Sequence, residues 1–175
     1  MIEDILLPVP SKLIRLAGAD LGQLIISPEG DLAITALWEG QEPESHHGVY
    51  VPLVGEHAFR VQWRETRLNR DLSVLHLDDC KLQVRVAGLS NARVGFATND
   101  EPALALGGLF VGSEGLRVVA ESSGDAISLD LGRGRFAQIN NGQRCLAARE
   151  WNLILMRGQV QCFSTNISAK ASTAP

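Results

Sequence analysis

The strongest constraint on this chain is the recurrence of short apolar runs closed by turn residues, several of them alternating strictly with polar positions. Leu82, Val84 and Val86 alternate with Lys81, Gln83 and Arg85, and Ile127, Leu129 and Leu131 with Ser128 and Asp130. Phe59, Val61 and Trp63 alternate with Arg60, Gln62 and Arg64. Successive side chains of an extended segment point to opposite faces, so a period of two sets one face in a core and the other in water. Further runs fall at Leu13–Ala17, Leu24–Ser27, Leu32–Trp38, Val49–Val54, Leu72–Leu77, Ala92–Ala97 and Ala103–Leu106. They continue at Leu109–Val111, Leu116–Ala120, Phe136–Ile139, Cys145–Ala148, Leu153–Met156 and Val160–Phe163.

The punctuation between runs has the chemistry of tight connections. Ser27-Pro28-Glu29-Gly30-Asp31 sets proline early and glycine late. Gly112–Gly115, Ser122–Asp125, Gly132–Gly134 and Arg157–Gln159 are each short enough to close a hairpin. Asn140–Gly142 supplies residues that tolerate positive φ. Strands at this spacing predict an all-β fold with little or no helix. The expected form is a single antiparallel β-sandwich of jelly-roll type, with a double-stranded β-helix barrel as the alternative. One segment is ambiguous: in His57–Leu72 a partial helical stripe competes with the alternation of Phe59, Val61 and Trp63, and the strand reading is the cleaner.

The chain has 175 residues, enough for folding to bury roughly 70% of the unfolded surface. A core therefore needs no disulfide or structural metal. Residues 1–12, with Pro8 and Pro10 among apolar side chains, read as an extended arm. Residues 13–167 read as the β-domain, and residues 168–175, small and polar, as a flexible tail. The formal net charge is −4, which argues against bulk attraction to nucleic acid or to an anionic membrane. The acidic start and the short apolar run ending at Pro8 lack the pattern of a signal peptide, and no stretch is apolar enough for a spanning helix. The expectation is a cytoplasmic protein or part of a particle assembled there. Cys80, Cys145 and Cys162 are odd in number and widely spaced, which predicts reduced thiols and excludes a Cys-x-x-Cys site.

Four constellations carry candidate chemistry. The four histidines, His46, His47, His57 and His76, lie within one stretch. Imidazoles at His46, His47 and His57, completed by Glu44 or Glu56, would suit a divalent transition metal in a cupin-like enzyme. The adjacent pair His46-His47 would point to opposite faces of a strand, whereas cupins use a His-x-His pair. His76-Leu-Asp-Asp-Cys80 puts His76, Asp78 and Cys80 on one face if extended, although Asp78-Asp79 reads more simply as a turn. Arg60, Arg64, Arg67 and Arg70 form a basic run around Trp63 that would hold an acidic partner. Trp38, beside the polar, acidic segment Glu39–Gly48, could stack a sugar ring, and Tyr50, the single tyrosine, joins it as a candidate ligand-binding aromatic.

No nucleotide-binding glycine loop or nucleophile elbow is present. The leading expectation is therefore a non-catalytic β-domain for binding or assembly. Carbohydrate, a homo-oligomer or a larger particle would be the partner, through Trp38, Tyr50, Arg60, Arg64 and Arg67, with no cofactor. The alternatives are the histidine-dependent metal enzyme and an adaptor using the Arg60–Arg70 face.

Overall fold

The computed structural model describes residues 11–38, 49–62, 72–94, 103–112, 115–140 and 142–169. Its strands are β1 (Ser11–Arg15), β2 (Leu24–Ile26), β3 (Leu32–Thr35), β4 (Leu37–Trp38), β5 (Tyr50–Pro52), β6 (Ser73–Leu77), β7 (Cys80–Val86) and β8 (Ser90–Val94). There follow β9 (Ala103–Leu104), β10 (Leu109–Gly112), β11 (Gly115–Ser122), β12 (Asp125–Asp130), β13 (Arg135–Gln138), β14 (Gln143–Ala148), β15 (Glu150–Arg157) and β16 (Val160–Ser168). The one helical element among the described residues is a 3-10 turn at Leu16–Gly18. The protein is all-β, as the alternation predicts.

Three sheets share these strands. The first runs β1-β6-β2-β3-β5, the second β4-β13-β12-β11-β10-β14-β8-β9, and the third β16-β15-β7. Pairing is antiparallel except at two short edges, where β4 joins β13 and β8 joins β9 in parallel. Each sheet gives one face to a common core. Leu24, Ile34, Val51 and Leu77 come from the first, Leu109, Val118, Leu129 and Phe136 from the second, and Trp151, Leu153 and Leu155 from the third. Burying such side chains contributes about 1.5–3 kcal/mol each.

The first two sheets are also covered on their other faces. Leu16, Ile25, Ala33, Tyr50 and Val74 cluster behind the first, and Val94, Phe110, Val119 and Ala147 behind the second. This corrects the reading of β12, whose Ser128 and Asp130 were expected in water but are buried. Their polar atoms are satisfied instead. Ser128 Oγ accepts from Arg117 Nη1 at 3.1 Å and donates to the Ala137 carbonyl at 3.2 Å. Asp130 Oδ1 accepts from the Gly132 and Arg133 amides at 2.8 and 3.1 Å. β7 keeps the simple pattern, with Leu82, Val84 and Val86 half-buried and Lys81, Gln83 and Arg85 exposed.

Other readings shift in detail. Leu32–Trp38 breaks at Ala36 and passes from the first sheet to the second. β1 begins at Ser11, inside the stretch read as an arm; residues 1–10 and 170–175 lie outside the described residues. Asn140–Gly142 closes no hairpin, because β14 pairs with β10 and β8 rather than β13. The alternating segment at Phe59–Arg64 is described only as far as Gln62, and there it is not a regular strand. Ala58 and Phe59 close a turn, Phe59 at φ +62°, and bridges follow at Arg60 and Gln62. Phe59 and Val61 are nevertheless buried and Arg60 exposed, as the alternation requires.

Sheets one and two touch through backbone at Gly22 and Gly134, both at positive φ. The Gly22 amide donates to Thr35 and the Leu37 amide to Gly134. A Cβ on Gly134 would collide with the Thr35 carbonyl and the Gly22 backbone. Gly134→Ala should therefore destabilise the protein by about 2–4 kcal/mol, combining left-handed strain with overpacking. Urea unfolding of the two proteins measures this, and an unchanged midpoint would contradict the close approach.

Candidate functional site

A large concavity opens where the three sheets meet, a groove of about 850 Å³. Its apolar wall combines Leu24 and Leu77 of the first sheet, Leu82 and Val84 of the third, Leu116 of the second and Leu131 just after β12. Each is there by register: Leu24, Leu77 and Leu131 lie at the margin of the common core, and Leu82 and Val84 are the inward positions of β7. The rim is polar, with His76, Asp79, Lys81 and Arg133.

Two turns shape the mouth. Asp78-Asp79, a turn as expected from sequence, carries the chain from β6 in the first sheet to β7 in the third, with Asp79 at φ +57°. The Gly132–Gly134 turn after β12 is held by the Asp130 carboxylate. His76 Nδ1 lies 3.0 Å from Asp78 Oδ1, which orients the imidazole at the rim. Cys80 follows at the start of β7. Burial pushes its thiol up, and the neighbouring Cys162 adds to this. A thiol so held is poorly suited to act as a nucleophile, because the thiolate is the reactive form.

Apolar surface continues out of the groove across the second sheet. Val111 on β10 faces Leu116 on β11 and Leu146 on β14 in register. These three side chains are 41%, 38% and 48% exposed, one contiguous row. Sequence reasoning did not identify this row as a site, although the hairpin expected at Gly112–Gly115 is the one that sets Val111 opposite Leu116. Only the pairing of β10 with β14, strands distant in sequence, adds Leu146.

The described side chains singled out from sequence stand in different surroundings. Trp38 is half-buried, its ring 4.8 Å from Phe136 in an edge-on arrangement. It borders a second concavity of about 440 Å³ with Ser122, Ser123, Asp125 and Gln138. Tyr50 is fully buried and its hydroxyl donates to Glu29 Oε2 at 2.9 Å, so it presents no ring face to solvent. Arg60 Nε pairs with Glu121 Oε2 at 3.5 Å, both side chains substantially exposed. Arg64, Arg67, Arg70, Trp63, His46 and His47 lie outside the described residues. His57 sits exposed in a turn. Among the described residues no three His, Cys, Asp or Glu side chains gather as a metal site, and no helix is long and apolar enough to cross a membrane.

Comparison with protein-family models, with curated proteins and with solved structures gave no match.

Burial also raises the Cys145 thiol. Cys80 and Cys145 should then alkylate with iodoacetamide more slowly than a free thiol at mildly alkaline pH. Their rates should climb only as pH rises past the usual thiol range, since a raised pKa leaves less thiolate at any lower pH. Mass-spectrometric alkylation kinetics provide the check, and rates equal to a free thiol would contradict it.

Proposed function

We propose that the chain is a non-catalytic β-domain that works by binding an extended, apolar segment of a protein partner in the three-sheet groove. The observation that carries this reading is the row Leu116, Val111 and Leu146, which continues the groove's apolar wall onto open surface. Exposed apolar side chains scattered singly are ordinary, whereas a contiguous row beside a concavity is the form of an interaction site. The strand-built walls suit an extended ligand. Lys81, Arg133 and Asp79 supply both donors and acceptors for its backbone at the rim. Selection of a random displayed peptide library on the immobilised protein should enrich sequences rich in alternating apolar residues. Leu116→Asp should weaken those binders about tenfold or more, in proportion to a lost buried anchor. No enrichment, or binders indifferent to Leu116→Asp, would remove the reading.

The concavity beside Trp38 supports carbohydrate as a second reading. An indole bordered by Ser122, Ser123, Asp125 and Gln138 combines a stacking surface with hydrogen-bonding groups, the pairing that sugars require. A glycan array should then retain the protein, and both Trp38→Ala and the exposed variant Asp125→Ala should abolish retention. A blank array, or retention that both variants leave unchanged, tells against it.

A further inference from the structure

We propose that the outer edge of β16 is a self-association surface, on which two copies of this chain pair β16 with β16, antiparallel, about a two-fold axis at Thr165. Each copy's Phe163 then closes an apolar cleft on the other. This surface is separate from the groove, so the two readings can fail independently.

The third sheet has two outer edges, β7 and β16, and among the described residues each pairs only with β15. An open edge offers a row of backbone donors and acceptors that folded proteins commonly guard with charge or proline. β7 is guarded in this way. An antiparallel self-pair centred on Gln83 would set Lys81 of each copy against Arg85 of the other. β16, nine residues from Val160 to Ser168, contains no charged side chain and no proline. Nothing in its charge opposes pairing with itself.

The register follows from the strand's own geometry. Leu155 faces Phe163 and Met156 faces Gln161, so Cys162 is bulged and Phe163–Ser168 is the regular stretch. A two-fold axis at Thr165 uses that stretch. It sets Phe163 opposite the partner's Ile167, Ser164 opposite the partner's Asn166, and Thr165 opposite itself. Aromatic with β-branched, polar with polar and threonine with threonine are all favourable cross-strand pairs.

A cleft lies where this register needs one. The Thr165–Ser168 end of β16 borders a concavity of about 200 Å³, walled by Leu53, Val54, Ala58, Phe59 and Leu106. A cavity of about 150 Å³ with apolar walls accepts benzene, so a phenyl group fits. Phe163 and Ile167 both point to the core side of the sheet, because their β15 partners are the core residues Leu155 and Trp151. The partner's Phe163, arriving opposite Ile167, therefore comes in on the side where the cleft opens. Phe163 is only half-buried in one copy, and the pairing covers what remains. The two third sheets become one six-stranded sheet. The paired stretch is roughly 17 Å long, which puts the contact at the small end of specific interfaces, so the dimer should dissociate on dilution.

Sedimentation velocity over a concentration series tests this, with two variants at the exposed positions Ser164 and Asn166. The wild-type chain should pass from monomer to dimer as concentration rises. S164K/N166K, which sets lysine against lysine twice, should remain monomeric where the wild type is dimeric. S164K/N166E, which sets lysine against glutamate twice, should restore the dimer. Thermal melts of both variants establish that the fold is intact. A wild type that stays monomeric, an S164K/N166K variant that dimerises like the wild type, or an S164K/N166E variant no better than S164K/N166K would each overturn the proposal. Peptide binding in the groove is read on the same proteins, so loss of the dimer with binding retained removes only the edge pairing.

Discussion

The close approach of Gly22 and Gly134 governs how the sheets are arranged. Two backbones meet there with no side chain between them, each glycine in the left-handed region. The contact sets the turn after β12 against the entry to β2 and lets the Leu37 amide reach the Gly134 carbonyl. That bond starts β4, which carries the chain from the first sheet onto the edge of the second. Gly22, Gly132 and Arg133 also line the groove. The same contact that joins the two sheets therefore fixes one lip of the concavity.

Covering both faces of two sheets has a cost in polar groups and a gain in apolar contact. β3 and the middle of β11 are buried at every position, and the chain meets this with Ala33, Thr35, Val118, Val119 and Ala120. Polar residues in such strands must find partners inside, as Arg117, Ser128 and Asp130 do. An unsatisfied buried group would cost about 1–3 kcal/mol. Among the described residues the third sheet has no second apolar cluster behind it, and β7 retains a clean polar face.

This difference explains what was legible in the sequence. Strand existence was legible nearly throughout, because each run was apolar and bounded by residues that turn. Which face met water was legible only where one face does, as at Leu82–Val86. At Ile127–Leu131 the same alternation described two buried faces, a distinction that depends on strands far away in sequence. The candidate site was less legible still. Tyr50 was named with Trp38 as a ligand-binding aromatic, yet its ring belongs to the cluster behind the first sheet. The groove draws leucines from three sheets, each unremarkable within its own segment. No local pattern distinguishes Leu116, in the groove wall, from Leu129, at the centre of the core.

The way the third sheet is attached has a thermodynamic consequence. Among the described residues, its links to the rest of the protein are the short chain connections at Asp78-Asp79, at Ala87–Leu89 and at Arg149, apolar packing, and the Trp151 indole donating to the Gly107 carbonyl at 2.8 Å. By contrast, sheets one and two are bridged through backbone at Tyr50–Gln62 and Arg60–Glu121. The ladder of β7, β15 and β16 can thus persist while its packing loosens. Such a unit is a natural foldon, opening as one body at a free energy set by buried area rather than by hydrogen bonds. Cooperativity across the whole chain then rests on Trp151, Leu153 and Leu155, the side chains through which that body is held.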